Sequence, residues 1–178
     1  VSGVAHEEGC LAELLPLDGK LFLNGDSEWT AHIAGRAKGP VVRLGFAAEN
    51  DWHVSNVQVQ RDGTLFAVHS PVRELAGTYR INLIGGHQSL NALFAIAVGH
   101  ELGLTREEIE RGLAVCEPAS MRLQVWDVGG VCVLDDSYNA NLDSMIAALR
   151  TLQEMPAKGR RIAVLGDMAE LGAHADNA

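Results

Sequence analysis

An apolar run leads directly into a polar loop in the stretch VCVLDDSYNAN, residues 131–141. The apolar residues predict a strand at 131–134, and the apolar stripe in residues 144–155 has the spacing of a helix. A second apolar run at 161–165, followed by Gly166 and Asp167, predicts a central parallel strand. The order strand, loop, helix, strand indicates an open α/β sheet. Ligands bind at the carboxyl ends of strands in such sheets, so the loop at 135–141 is a candidate site.

The rest of the chain predicts an α/β fold with an antiparallel insert. Asp62-Gly63 lies between alternating apolar runs and predicts a β-hairpin. Thr105 and Glu108 have the spacing of a capping box. The other predicted elements are helices at 4–15, 27–37, 87–102 and 105–115, strands at 20–23, 41–46 and 79–84, and a second hairpin joining 123–128 to 131–134. The break at 117–120 is a candidate linker, which divides the chain into residues 1–117 and 118–178.

The composition predicts a globular protein. Its 178 residues carry 14 Lys and Arg against 23 Asp and Glu, a net charge of −9, and 47% of them are hydrophobic. The acidic balance argues against a nucleic-acid binder that wraps a duplex, and no apolar run approaches the roughly 18 residues of a membrane span. Three cysteines without metal-ligand spacing predict reduced thiols of a cytoplasmic protein: Cys10, Cys116 and Cys132.

The junction between the strand at 79–84 and the following helix is a second candidate site. Gly85 and Gly86 would let a ligand approach the backbone, and the helix start offers free N–H groups. Asn91 lies one turn further, where its amide could meet the donor and acceptor of an adenine ring. Glycine pairs before helices are common, so a tight turn with His87 as a capping residue is the simpler explanation of this motif taken alone.

Simpler explanations also exist for the other polar candidates. Either Asp136 or Asn141 could serve as the cap of the helix that follows the polar loop. Arg122, just after the linker, could reach a phosphate between two domains or be a solvated surface residue. Glu7 and Glu8 could offer oxygen ligands to Mg²⁺ or simply form a solvated helix face.

Two catalytic motifs are absent from the sequence. The chain has no G-x-x-x-x-G-K-[ST] phosphate loop and no G-x-S-x-G nucleophile motif, so it could not hold the β- and γ-phosphates of ATP unaided.

Four segments of the chain resemble the Mur ligases, ATP-dependent enzymes of peptidoglycan synthesis. The resemblance is to the member of the family that adds D-Ala-D-Ala. The segments are Gly86-His87 with Asn91, residues 121–123, residues 135–141 with Ser144 and Met145, and residues 166–172.

This resemblance implies the fold and the reaction. The chain would comprise the second half of the central ATPase domain, with its antiparallel hairpin insert, and the first part of a Rossmann-like C-terminal domain. The enzyme would use ATP and Mg²⁺ to join D-Ala-D-Ala to UDP-N-acetylmuramoyl-tripeptide through an acyl phosphate. A part of two domains is expected to be inactive alone, and its exposed apolar edges predict self-association.

The resemblance also implies roles for individual residues. Asn91 would contact adenine with His87 beside it, while Arg122 would reach the phosphates and Asp136 would accept from the ribose hydroxyls; Arg122 and Asp136 are the expected catalytic pair. The remaining residues, expected to line the interdomain cleft, are Tyr138, Asn139 and Asn141.

The chain departs from the family pattern at two positions. Gln88 stands where the family has Asn, and Glu8 falls where the family has a carbamoylated lysine that faces Mg²⁺. Glu8 is therefore expected to supply directly the anionic oxygens that carbamoylation would create. Two alternatives stay open at this point: another ligase of the superfamily, such as a folylpolyglutamate synthase, and a non-catalytic nucleotide-binding or scaffold protein.

Overall fold

The computed structural model describes residues 2–168, which form two sheets and the helices packed on them. Helices and strands alternate up to Gly45, after which strands follow one another in the antiparallel insert and in the last hairpin. In chain order the elements are α1 (Ser2–Leu14), β1 (Leu21–Asn24), α2 (Thr30–Ala34), β2 (Val41–Gly45), β3 (Trp52–Gln60), β4 (Gly63–His69), β5 (Gly77–Ile81), α3 (Gly86–Glu101), α4 (Arg106–Ala114), β6 (Gln124–Val128), β7 (Val131–Asp135) and α5 (Leu142–Glu154).

The larger sheet has five strands in the order β1-β2-β3-β4-β5. The pairs β1–β2 and β2–β3 are parallel, whereas β4 pairs antiparallel with both of its neighbours. The turn at Asp62-Gly63 joins β3 to β4, as the sequence predicts. Because β5 runs antiparallel to β4, its carboxyl end points the same way as those of β1 and β2. The sheet therefore combines a parallel half with the expected antiparallel insert.

The core lies between the five-stranded sheet and α3. Alternate residues of the central strands face inward, as the two-residue repeat of a strand requires. On α3, Leu93 and Ile96 are fully buried, so one side of this helix covers the sheet. The sheet contributes these buried residues to the same cluster: Leu44, Trp52, Val54, Phe66, Val68, Tyr79 and Ile81. This packing fixes α3, and with it the junction that begins the helix.

Local sequence signals determine where the helices begin and end. Thr105 accepts from the Glu108 N–H at 3.3 Å while Glu108 accepts from the Thr105 N–H at 2.8 Å, which confirms the predicted capping box. Helix α3 ends at Glu101, and Gly103 two residues later has a φ of 84°, which allows the closing turn. Helix α2 is shorter than predicted, since residues 27–29 form a turn capped by the Thr30 hydroxyl. None of the helices in residues 2–168 is both long and apolar enough to cross a membrane.

The second sheet is the hairpin β6–β7, closed by Gly129 and Gly130, both with positive φ. The predicted parallel strand at 161–165 is wrong: these residues form no strand, and Val164 is 92% exposed. A central parallel strand needs a neighbour on each side, and β6–β7 does not provide that pairing within the described residues. Only residues 166–168 of the motif at 166–172 belong to the described residues, and the rest of the motif lies outside them.

The ends of β1 and β2 are joined by a carboxylate. Asp26, just after β1, accepts from the Phe46 N–H at 2.6 Å, the Ala47 N–H at 3.2 Å and the Asn50 Nδ2 at 2.8 Å. Burial raises the pKa of the Asp26 carboxyl, but these three hydrogen bonds outweigh burial and hold the pKa below its usual range. Asp26 thus fixes the loop that follows β2.

We expect Asp26→Asn to destabilise the protein in a pH-dependent way. Because the folded-state pKa is lowered, the stabilisation is present above the unfolded pKa of about 3.9 and is lost as the pH falls through the folded-state pKa. Urea unfolding at pH 7 should show a loss of about 1 kcal/mol, since the carboxylate is exposed to solvent. The difference should disappear towards about pH 2. Asp18→Asn, at an exposed carboxylate before β1, serves as the control; equal curves for D26N and wild type at pH 7 would contradict the assignment.

Candidate functional site

The junction between β5 and α3 is held by a buried threonine. Thr64, on β4 and fully buried, donates its hydroxyl to the Leu83 carbonyl at 2.8 Å and accepts the Gly85 N–H at 3.2 Å. Gly85 precedes α3 with φ 119°, a conformation that side chains rarely allow. The predicted glycine junction is therefore a rigid turn at the carboxyl end of β5.

Helix α5 packs against this junction. Thr151 of α5 is 1% exposed, and a Cβ on Gly85 would lie 2.9 Å from its Oγ1 and 2.8 Å from the His87 Cε1. Between the two parts lies a cleft of about 350 Å³. The residues that line it are Phe46, Val57, Gly86 and His87 from the first part, with Ala147, Arg150, Thr151 and Glu154 from α5. The cleft thus opens where β2 and β5 end, as in ligand-binding α/β sheets.

The Asp136 carboxylate acts electrostatically on His87. Burial lowers the pKa of the His87 imidazole, and the charge of the Asp136 carboxylate partly offsets this effect. Asp136 also accepts the Leu123 N–H on its Oδ1 at 3.2 Å, which holds the carboxylate at the end of β7. Two predicted site residues that are 49 positions apart in the sequence are therefore coupled electrostatically, and His87 lines the cleft.

Arg122 and Tyr138 form a second contact near the end of β7. The Arg122 guanidinium carbon lies 4.4 Å from the centre of the Tyr138 ring, which is the geometry of a cation–π interaction. The Tyr138 N–H donates to the Met121 carbonyl at 3.1 Å. Both side chains are exposed, so the guanidinium remains accessible to an anion.

The other predicted residues of the polar loop are used locally. Asn141 caps α5, accepting the Ser144 N–H on its Oδ1 at 2.8 Å, so the simpler explanation of this residue is confirmed. Asn139 is exposed, and its Oδ1 accepts the Ala140 N–H at 2.8 Å. Asn91 is exposed on α3 and donates to Gln88 at 3.0 Å, which orients its amide.

Glu8 lies on α1. Its carboxylate is exposed. Within residues 2–168 no three His, Cys, Asp or Glu side chains are grouped as metal ligands, so Glu8 by itself offers only one carboxylate to an ion. Mg²⁺ commonly binds one or two carboxylates together with substrate phosphates, and a single carboxylate fits that donor set.

Several residues that shape the cleft carry no motif in the sequence. Asn56, at φ 52°, forms a bulge in β3 next to Val57, which lines the cleft. Arg61, on the β3–β4 turn, donates to both carboxylate oxygens of Asp127 in β6 at 2.7 Å, an ion pair that links the two sheets. The charged residues at the β3–β4 turn are compatible with an ion pair, but no nearby residue in the sequence identifies Asp127 as the partner of Arg61.

Comparison with protein-family models identifies the class of protein. Residues 2–99 match the Mur ligase middle domain, and residues 121–178 match the Mur ligase, glutamate ligase domain. The first match covers more than half of the chain. The chain therefore belongs to the Mur ligase family, and its two sheets are parts of the middle and C-terminal domains of that fold.

Individual relatives narrow the comparison. The chain is 36% identical over 182 residues to UDP-N-acetylmuramoyl-tripeptide–D-alanyl-D-alanine ligase of Escherichia coli (strain K12), covering 99% of this chain and 39% of the relative. A crystal structure of MurF from Acinetobacter baumannii superposes with a TM-score of 0.87 at 26% identity, covering 98% of this chain and 37% of that one. MurF ligase from Thermotoga maritima in complex with ADP shares the fold, with a TM-score of 0.76 at 20% identity, covering 93% of this chain and 37% of that one. The chain thus spans about 39% of the length of its Escherichia coli relative.

We expect Gly85→Ala to destabilise the protein by at least about 2 kcal/mol, because a side chain there meets both an unfavourable φ and the contacts with His87 and Thr151. Gly86→Ala is the matched control: its Cβ would meet Glu154 and Val57 at 3.8 Å, an ordinary contact, and Ala favours the helix. Urea unfolding of both variants measures the difference. A G85A variant as stable as G86A would show that the junction is not tightly packed.

Proposed function

We propose that the chain forms one side of the nucleotide-binding cleft of a UDP-N-acetylmuramoyl-tripeptide–D-alanyl-D-alanine ligase. The observation that carries the proposal is the cleft between the two parts of the chain, which His87 lines and where the charge of Asp136 acts on His87. The identity to the Escherichia coli ligase and the fold shared with the ADP complex from Thermotoga maritima support it. We extend to this protein the activity that the name of its relative states.

The proposed reaction has to make a carboxylate electrophilic. A carboxylate oxygen of the UDP-N-acetylmuramoyl-tripeptide attacks the γ-phosphorus of ATP, and ADP leaves. The amine of D-Ala-D-Ala then attacks the acyl phosphate carbon, giving a tetrahedral intermediate. This intermediate loses a proton and expels inorganic phosphate as the amide bond forms. Such catalysis depends chiefly on positioning the reactants and on stabilising phosphoryl charge.

Each predicted site residue has a proposed part in this reaction. The Asn91 amide, oriented by Gln88, contacts the adenine edge, and the neutral His87 imidazole lies beside it. The Asp136 carboxylate accepts from the ribose hydroxyls. The Arg122 guanidinium meets the phosphates, where a planar fork of donors suits phosphate oxygens. Tyr138, Asn139 and Asn141 would face the interdomain cleft of the complete enzyme, with Asn141 also capping α5.

The proposal includes Mg²⁺, which would neutralise phosphate charge when bound. Glu8 would be one of its oxygen ligands, and the phosphates would supply others.

The remaining proposals concern the partners of the enzyme, its location and its association state. Its partners are the UDP-linked tripeptide and D-Ala-D-Ala rather than nucleic acid, and it acts in the cytoplasm. Self-association of the isolated chain stays a prediction, based on exposed apolar residues such as Val128 and Val164.

We expect Asp136→Asn in the complete gene product to raise the KM for ATP about 10-fold or more, because the ribose hydroxyls lose a charged acceptor. Asp135→Asn is the matched control, since the Asp135 carboxylate accepts the Ser137 N–H instead. The measurement is phosphate release that depends on both D-Ala-D-Ala and the UDP-linked tripeptide. Wild-type enzyme that releases no phosphate with these substrates, or D136N with an unchanged KM, would contradict the proposal.

The Glu8 assignment predicts independence from bicarbonate. Wild-type activity should be the same with and without dissolved CO₂, because the Glu8 carboxylate needs no carbamoylation. Glu8→Lys should lose most of the activity in CO₂-free buffer and regain part of it when bicarbonate is added. A clear loss of wild-type activity on CO₂ removal would show that Glu8 does not replace a carbamoylated lysine.

A further inference from the structure

The backbone on both sides of Arg122 is in an unusual conformation. Met121 has φ 58° and Leu123 has φ 48°, in the left-handed region that is unfavourable for a non-glycine residue. Such a conformation persists only where the surroundings impose it. Here the Met121 carbonyl accepts the Tyr138 N–H at 3.1 Å, and the Leu123 N–H donates to Asp136 at 3.2 Å. The polar loop after β7 therefore shapes the segment that carries Arg122.

The same loop also contacts the Arg122 side chain. An arginine side chain has many rotamers, and an exposed guanidinium samples them unless something restrains it. The Tyr138 ring, 4.4 Å from the guanidinium carbon, provides that restraint. Stacking uses the flat face of the guanidinium and leaves the N–H groups at its edge available for phosphate oxygens.

A second arginine–tyrosine pair in the protein shows what a structural contact looks like. Arg106 stacks on Tyr79 at 4.6 Å, but its N–H groups donate to the Ala76 and Thr78 carbonyls and to Glu110. These bonds tie α4 to β5 and leave Arg106 occupied. Among the hydrogen bonds and ion pairs found in residues 2–168, none uses the Arg122 side chain.

We infer that Tyr138 is a positioning residue, which holds the Arg122 guanidinium face-on so that its edge meets the phosphates of the nucleotide. The inference rests on the proposed function, because it assumes that Arg122 binds phosphate. The phenol hydroxyl has no part in it. The requirement is an aromatic face at position 138, and the effect of losing that face passes entirely through Arg122.

The test is a double-mutant cycle in the complete gene product, read out as the Kd of Mg-ATP by calorimetry. We expect Tyr138→Leu to weaken ATP binding about 3- to 10-fold, and Tyr138→Phe to restore binding to within about twofold of wild type. In an Arg122→Gln background, Y138L should have no further effect. Trp126→Leu, at an exposed aromatic residue of β6, is the control and should leave the Kd unchanged. Thermal melts of each variant identify any loss of folding, and Tyr138→Thr then replaces Y138L.

Each outcome decides a separate question. Equal losses for Y138L in the two backgrounds, or a Y138F variant as weak as Y138L, would overturn the positioning role. Wild-type protein that binds no ATP would overturn both the positioning role and the proposed function. Wild-type protein that binds ATP but joins no D-Ala-D-Ala to the UDP-linked tripeptide would overturn the proposed reaction alone, and the cycle of Kd values would still test Tyr138.

Discussion

The contact of Gly85 with Thr151 is the constraint on which the cleft depends. Gly85 has no side chain because its φ of 119° and the two neighbouring side chains leave no room for one. Thr64 on β4 holds this turn by accepting the Gly85 N–H, and the core between the sheet and α3 fixes the helix that follows. Since α5 rests directly on the junction, its residues line the cleft together with His87. One close backbone contact thus determines how two parts of the chain form the cleft.

The residues that hold the fold are buried or serve as helix caps, whereas the candidate phosphate-binding residues are exposed. The buried threonines and the caps of α4 and α5 hold the elements, whereas Arg122 and Tyr138 are exposed at the end of β7. The unfavourable φ values at Met121 and Leu123 lie beside the arginine and away from the core packing of α3. Strain of this kind is typical of sites that must present a group in a fixed direction.

Signals between neighbouring residues predict the local structure well. They do not predict which distant segments of the chain pair with one another. The Asp62-Gly63 turn and the Thr105 cap depend on residues a few positions apart, so both are confirmed. The strand at 161–165 failed because an apolar run indicates burial without identifying a partner strand. Thr64 and Thr151 were missed because their partners are 21 and 66 positions away in the sequence. Motifs in the sequence single out Asp136 and His87, but only the fold shows that the charge of Asp136 acts on His87.

The central claim is that the two parts of the chain bind one nucleotide between them, and a crystal structure of the complete gene product with ADP tests it most directly. The account predicts that the Asp136 carboxylate lies about 2.7 Å from a ribose hydroxyl and that an Arg122 N–H lies about 2.9 Å from a phosphate oxygen. Adenine should lie against Asn91 and His87. A nucleotide bound with Asp136 and Arg122 both beyond hydrogen-bonding distance would contradict the account.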